Sequence, residues 1–185
     1  MDDLQGRPKR RLKVDLDDLA SAFDNDSDEM HFYLDTETGK VEMVTEETRR
    51  ELEAIDEQIF DEEGQERIPL EQALAERHRL AGWEKEAIII ADQVERGCGE
   101  RYIEVPERES RAGYRDMEDF TATVGPESLQ ERLEDALNGK GAFRRFRDIL
   151  ARYPQERERW FAFADGRAME RIIEWLGDEG IEPIP

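Results

Sequence analysis

The sequence predicts an α+β fold, a predominantly helical domain that carries a small antiparallel sheet. Much of the second half of the chain has apolar side chains at three- and four-residue intervals, the spacing of one helix face. Residues 31–44 instead alternate between apolar and polar side chains around a turn with Gly39, which is typical of a β-hairpin. A third strand is predicted over 102–106, where Pro106 ends the strand or places it at a sheet edge.

The predicted domain organisation is one α+β domain over residues 14–181, between two tails. Residues 1–13 hold five cations without an apolar run, so we expect a flexible basic tail and no signal peptide. Residues 182–185 form a short C-terminal tail. A chain of 185 residues can bury a core, and no apolar stretch approaches the about 20 residues of a membrane span.

The first half of the chain predicts four helices. The first begins near Asp15, which is a suitable cap, and the second spans 45–60 with Thr45 as its cap. Residues 65–96 predict two more helices separated at Gly82. The triplet at 88–90, Ile-Ile-Ile, fits a buried strand as well, and periodicity alone leaves both interpretations open.

The second half predicts a series of helices whose apolar stripes would form a core. Pro126 suits the start of one helix, and Asn138 with Gly139 marks its end. The next helix would place Phe143 and Phe146 in the core. The last predicted helix carries an apolar stripe made of Trp160, Phe161, Ala164, Ala168, Ile172, Trp175 and Leu176.

The formal net charge of −21 is unevenly distributed. Residues 15–71 hold 21 acidic residues and four cations, a net charge of −17, whereas residues 140–175 hold nine cations and six acidic residues, a net charge of +3. Because acidic surfaces repel phosphates, the net charge disfavours general nucleic-acid binding. A solvated acidic surface is the commoner explanation, and mimicry of DNA toward a basic partner is the alternative.

The sequence offers little for catalysis or metal binding. Cys98 is the single cysteine, which fits a reducing cytoplasm, and between two glycines it is more often a small filler than a nucleophile. Three aspartates of the acidic run at 24–28, with Asp35, partly match a calcium loop, but Glu29 replaces the required glycine. We therefore expect no catalytic residue, no cofactor and no metal ion, although catalysis stays an open question.

The stretch 139–148, Gly-Lys-Gly-Ala-Phe-Arg-Arg-Phe-Arg-Asp, leaves two interpretations open. In the structural one, a glycine turn begins a helix whose phenylalanines enter the core, while its arginines pair with nearby acidic groups. In the functional one, the free N–H groups of the helix start, together with four cations, hold a phosphate or a partner's carboxylates. The candidate binding residues are Lys140, Arg144, Arg145 and Arg147.

Several blocks occur together in an order and spacing that resemble the bacterial Uncharacterised Protein Family 0158. The most specific is the block at 139–148; the others are Tyr-Ile-Glu-Val-Pro at 102–106, Tyr-Arg-Asp-Met-Glu-Asp-Phe at 114–120, Trp-Phe-Ala-Phe at 160–163, Glu-Trp-Leu at 174–176 and Phe-Tyr-Leu-Asp at 32–35. The resemblance covers about residues 12–181. It implies a small acidic bacterial protein and no assigned activity.

The function that these features favour is a non-enzymatic, cytoplasmic binding or regulatory protein that recognises another macromolecule, with a protein as the expected partner. One alternative is a phosphate-containing ligand or a nucleic acid bound at the basic helix start, and another is a carboxylate-metal hydrolase.

Overall fold

The computed structural model describes residues 9–25, 27–60, 68–106 and 110–184. Within these ranges the elements are, in chain order, β1 (Arg10–Lys13), α1 (Leu16–Phe23), β2 (Met30–Asp35), β3 (Val41–Thr45), α2 (Glu46–Ile59), α3 (Leu70–Glu76), α4 (Gly82–Gly97), β4 (Tyr102–Glu104), α5 (Ser110–Ala122), α6 (Glu127–Leu137), α7 (Ala142–Leu150), α8 (Pro154–Asp178) and β5 (Ile181–Ile184). The predominantly helical α+β fold is confirmed.

The chain forms two compact units. We call residues 1–106 with 180–185 the N-terminal unit, and residues 107–179 the C-terminal unit. The prediction of one domain over 14–181 stays a prediction.

The sheet of the N-terminal unit has the strand order β3-β2-β4, and both pairings are antiparallel. The hairpin and the third strand are thus where the sequence predicts them, with β4 opposite the far end of β2. Beyond the end of β4, the Val105 N–H still donates to the Phe32 carbonyl at 2.8 Å. Tyr33 and Leu34 of β2 point to opposite faces of the sheet and are both buried, so the sheet is covered on both faces at this point.

The core of the N-terminal unit lies between the sheet and helices α2, α3 and α4. Tyr33 and Val44 from the sheet belong to one buried cluster with apolar residues of the three helices. The isoleucine triplet lies in α4, with Ile88 buried and Ile89 and Ile90 partly buried against the cluster. The helical interpretation of residues 88–90 is therefore correct, and the strand interpretation is wrong.

Two helix caps predicted from the sequence are present. The Asp15 carboxylate accepts hydrogen bonds from the N–H groups of Asp17 at 3.0 Å and Asp18 at 3.1 Å at the start of α1. The Thr45 hydroxyl accepts one from the Thr48 N–H at 3.1 Å at the start of α2. Each cap supplies a partner to N–H groups that a helix leaves unpaired.

Segments that the sequence assigns to tails pair as two parallel strands. β1 runs alongside β5, with Arg10 opposite Ile181 and Lys13 opposite Ile184. Leu12 and Ile181 are buried, which gives the pair an apolar anchor. The tail assignment is therefore wrong for Arg10–Lys13 and for residues 182–184; residues 1–8 lie outside the described part of the chain.

The C-terminal unit consists of helices α5 to α8 around an aromatic cluster. The Phe120 ring meets the Trp160 ring edge to face, with centroids 5.3 Å apart, and lies 6.3 Å from the Phe146 ring. Such edge-to-face contacts add to the free energy gained by burial. Pro154 occupies the first turn of α8 and so begins that helix.

We expect Asp35 to make the fold sensitive to acid. Burial opposes its ionisation, but hydrogen bonds from Arg101, the Glu37 N–H and Thr38 outweigh burial and lower the pKa of Asp35 from 3.8 to about 2. Because the folded pKa lies below the unfolded one, the stabilisation is complete above pH 3.8 and disappears as pH falls through about 2. Since the Arg101 side chain is 40% exposed, solvent screening limits the effect to about 1–2 kcal/mol.

The measurement is an NMR titration of the Asp35 carboxyl carbon, with unfolding free energies of the native chain and Asp35→Asn compared between pH 7 and pH 2. We expect the stability difference between the two proteins to shrink in the acid range. A titration midpoint at or above 3.8 contradicts the assigned ion pair.

Candidate binding site

The candidate site begins at a double glycine turn between α6 and α7. Gly139 has φ 87° and Gly141 has φ 78°, in the left-handed region that side chains disfavour. Gly141 is the N-cap of α7, and within the described residues no side chain caps that helix. The predicted turn from one helix into the next is present.

One face of α7 is anchored in the core of the C-terminal unit. Ala142, Phe146 and Leu150 are buried, at helical spacing. The Phe146 ring meets Trp160 edge to face with centroids 5.0 Å apart. This contact fixes the orientation of the short helix, and with it the direction of the side chains on the opposite face.

Phe143 differs from Phe146, because its side chain is 46% exposed. The prediction that both phenylalanines enter the core is wrong for Phe143. The two residues are about 60° apart around the helix, and the buried face, formed by Ala142, Phe146 and Leu150, is centred on Phe146. Phe143 therefore lies at the border of that face and presents part of its ring to solvent.

Arg145 has a structural role in this arrangement. Its guanidinium donates to the backbone carbonyls of Ala136 at 3.2 Å and Asn138 at 2.5 Å. These carbonyls lie at the C-terminal end of α6, where helix carbonyls lack partners and a cation is favourable. Arg145 therefore joins the end of α6 to α7 and is the candidate residue least available to a ligand.

The other three candidate cations reach solvent. Arg144 makes the expected pair with Asp148, but at 3.8 Å, with the side chains 83% and 64% exposed, it is weak. Lys140 and Arg147 are exposed, and neither has an ion-pair partner among the residues that the structure describes. Three of the four predicted site residues thus present their charge to solvent, whereas the guanidinium of Arg145 is engaged by backbone carbonyls.

The exposed residues form one strip, which we call the α7 face: Lys140, Phe143, Arg144 and Arg147. Phe143 and Arg144 lie four and three residues before Arg147 within α7, which places the three on one side of the helix. Lys140 lies in the glycine turn that precedes α7, before the N-cap Gly141. A half-exposed aromatic ring thus lies in a short stretch that carries three exposed cations. This arrangement can bind carboxylates or phosphates and cover an apolar contact at the same time.

The histidines and the cysteine do not come together as a catalytic set in the described residues. His31 lies between Glu46 at 3.3 Å and Glu104 at 3.4 Å, whereas Cys98 is exposed. The Asp35 carboxylate of the calcium-like pattern accepts two hydrogen bonds from Arg101, at 2.7 and 3.1 Å. No group of three potential metal ligands lies together in the described ranges, and Asp26 of that pattern falls outside them.

A cleft in the N-terminal unit was missed by sequence analysis. It has a volume of about 420 Å³ and is lined by Tyr33, Val44, Arg49, Glu53, Asp56, Ala91, Val94, Glu95 and Cys98. The available signal was the i, i+4, i+7 spacing of Arg49, Glu53 and Asp56 along α2. In so acidic a segment this spacing is not distinguishable from an ordinary solvated face.

A half-buried ion pair in the C-terminal unit was missed as well. Arg171 of α8 donates to both carboxylate oxygens of Asp116 on α5, at 2.9 and 3.1 Å. Arg167 adds a bond to Asp119 on the same helix pair. These contacts join α5 to α8 across 48 to 55 residues of sequence, a separation at which no local pattern indicates a pair.

Within the described part of the chain, none of the helices is both long and apolar enough to cross a membrane. No solved structure matches the chain. A curated protein of Pseudomonas aeruginosa, UPF0158 protein PA5073, is 30% identical over 67 residues, which are 36% of this chain and 44% of that relative. The matched segment thus spans less than half the length of the relative.

The profile of the uncharacterised protein family UPF0158 matches residues 84–185, which is more than half of the chain. The matched range contains β4 and the whole of α5 to α8, and therefore the glycine turn and the α7 face. The chain belongs to the uncharacterised protein family UPF0158.

Proposed function

We propose that this protein is a non-enzymatic binding protein and that its α7 face recognises an acidic surface on another protein. The observation that carries the proposal is the half-exposed ring of Phe143 beside Lys140, Arg144 and Arg147, in a chain whose net charge is −21. A solvated surface does not need an aromatic residue at this position. Aromatic residues and arginine are enriched at protein interfaces.

The charge distribution supports a protein in preference to a nucleic acid. Three exposed cations are few for a phosphate backbone, whose binding rests on many simultaneous contacts. The net charge of −21 repels a polyanion as a whole. A protein surface with a few carboxylates around an apolar depression complements the cations and the aromatic ring of the α7 face. Such a surface is repelled less by the net charge of the chain than a polyanion is.

The proposal is tested by site-specific photo-crosslinking in cells. Benzoylphenylalanine at position 143 is expected to give a defined protein adduct, and adding Lys140→Glu with Arg144→Glu is expected to reduce it about tenfold, because both charges then repel carboxylates. The matched control places the same probe at position 161, since Phe161 on α8 is 54% exposed. The adduct should be specific to position 143.

Identical adducts from positions 143 and 161, or an adduct that survives both charge reversals, contradict the proposal. An adduct that nuclease removes assigns the α7 face to nucleic acid instead. The family match contains this face but attaches no activity to it.

A phosphate-containing ligand is the second candidate. It is favoured by the uncapped start of α7, where helix N–H groups attract anions and which closely follows Lys140 in the chain. The phosphate interpretation is weakened by Arg145, because its guanidinium already donates hydrogen bonds to two backbone carbonyls. No observation in the described residues favours the carboxylate-metal hydrolase.

A further inference from the structure

The cleft of the N-terminal unit lies between α2, α4 and the strands β2 and β3. Its volume of about 420 Å³ falls within the range of small-molecule sites in proteins. Val44, Ala91 and Val94 supply apolar wall, while the polar lining comes mainly from the two helices. The lining therefore combines an apolar wall with charged groups.

Arg49, the one cation among the described residues of the cleft lining, is already engaged. Arg49 donates a hydrogen bond to the Tyr33 hydroxyl and lies 3.3 Å from Glu46. Three carboxylates of the lining, on Glu53, Asp56 and Glu95, are left without an ion-pair partner among the described residues. Among the described lining residues, the carboxylates therefore outnumber the cation by three to one.

Asp56 is the residue of the cleft lining that has a buried carboxylate oxygen without a hydrogen-bond donor among the described residues. Its Oδ1 atom is buried and accepts no hydrogen bond from any described residue. Burial raises the pKa of Asp56, and the charges of Asp92 and Glu95 raise it further, against the opposing effect of Arg96. A bound cation with N–H donors relieves both deficits, since it supplies a hydrogen bond and a compensating charge.

The arrangement of the carboxylates selects among cations. No three potential ligands in the described residues lie close enough together to hold one metal ion. Separated carboxylates beside an apolar wall suit a cation whose charges are separated by methylene groups. We propose that this cleft binds a small linear organic polyamine, with one ammonium group on Asp56 and another between Glu53 and Glu95.

This site lies outside the α7 face and does not depend on the function proposed for it. Every lining residue belongs to the N-terminal unit, whereas the α7 face belongs to the C-terminal unit. Amine binding can therefore be tested on the full chain without knowledge of any protein partner.

The first measurement is calorimetric titration of the full chain with spermidine, and with magnesium chloride at equal ionic strength. We expect spermidine to bind and Asp56→Asn to weaken binding about tenfold, the effect of losing one charge-assisted hydrogen bond. The matched control is Glu57→Gln, which removes the same charge from an exposed neighbouring position of α2 outside the cleft lining. Circular dichroism establishes that each variant is folded.

The second measurement uses Cys98, the single cysteine, which is exposed and belongs to the cleft lining. Spermidine is expected to slow the reaction of its thiol with a disulfide reagent several-fold in the native chain and in Glu57→Gln, but not in Asp56→Asn at the same concentration. The proposal is overturned by absence of binding heat, by equal spermidine affinity of the two variants, or by equal protection from magnesium. The last two results indicate a diffuse ion atmosphere around an acidic surface.

Discussion

Phe146→Ala is expected to lower the free energy of unfolding by about 3–5 kcal/mol, the usual cost of truncating a buried phenylalanine. Phe146 is 1% exposed, and its ring contacts Trp160 and Phe120 edge to face. Removing the ring leaves a cavity in the aromatic cluster that holds α7 in place. The measurement is urea unfolding followed by tryptophan fluorescence, because Trp160 belongs to the same cluster and reports its loss directly.

Phe143→Ala is the matched control on the same helix. Its ring is 46% exposed, so we expect a loss of no more than about 1 kcal/mol. Equal losses from the two variants contradict the assignment of Phe143 to the surface. A small loss also makes Phe143→Ala suitable for binding experiments, because reduced binding then reports the α7 face and not unfolding.

Features determined by short-range sequence were predicted correctly. The caps at Asp15 and Thr45 depend on residues two or three positions away, and the hairpin depends on alternation around one glycine turn. The glycine turn before α7 is local in the same sense. In each case the interacting groups lie within the same short segment of the chain.

Features determined by distant partners were not predictable in this way. β1 is four residues long and pairs with residues about 170 positions away, so its sequence resembles that of a polar tail. The exposure of Phe143 depends on how the helix is rotated against the aromatic cluster. The role of Arg145 depends on the carbonyls that the preceding helix leaves unpaired.

The candidate sites illustrate the same division. The basic stretch before and along α7 was identifiable because it concentrates four cations within ten residues of a chain in which 48 acidic residues outnumber 27 cations. Asp56 was not identifiable, because it is one of 48 acidic residues and is distinguished by a buried Oδ1 atom that no described residue donates to. In a chain of this composition, an unusual charge can be found from the sequence, whereas an unusual environment requires the fold.

Gly39→Ala is expected to be the most disruptive small substitution in the N-terminal unit. Gly39 has φ 75°, which costs a residue with a side chain about 1–2 kcal/mol. An ideal Cβ at this position would also lie 1.8 Å from the Lys13 carbonyl oxygen, at the end of β1. Because a backbone oxygen cannot move without its strand, we add about 1–3 kcal/mol for overpacking.

Gly99→Ala separates these two contributions. Gly99 has φ 82°, and an added Cβ there meets no atom within 4 Å, so the conformational cost alone applies. Unfolding free energies from urea titration should therefore rank the native chain above Gly99→Ala, and Gly99→Ala above Gly39→Ala. Amide exchange should become faster along β1 and β5 in Gly39→Ala only. Equal losses of unfolding free energy in the two variants would mean that the end of β1 does not lie against the hairpin turn. The position of the β1–β5 pair beside that turn would then be wrong.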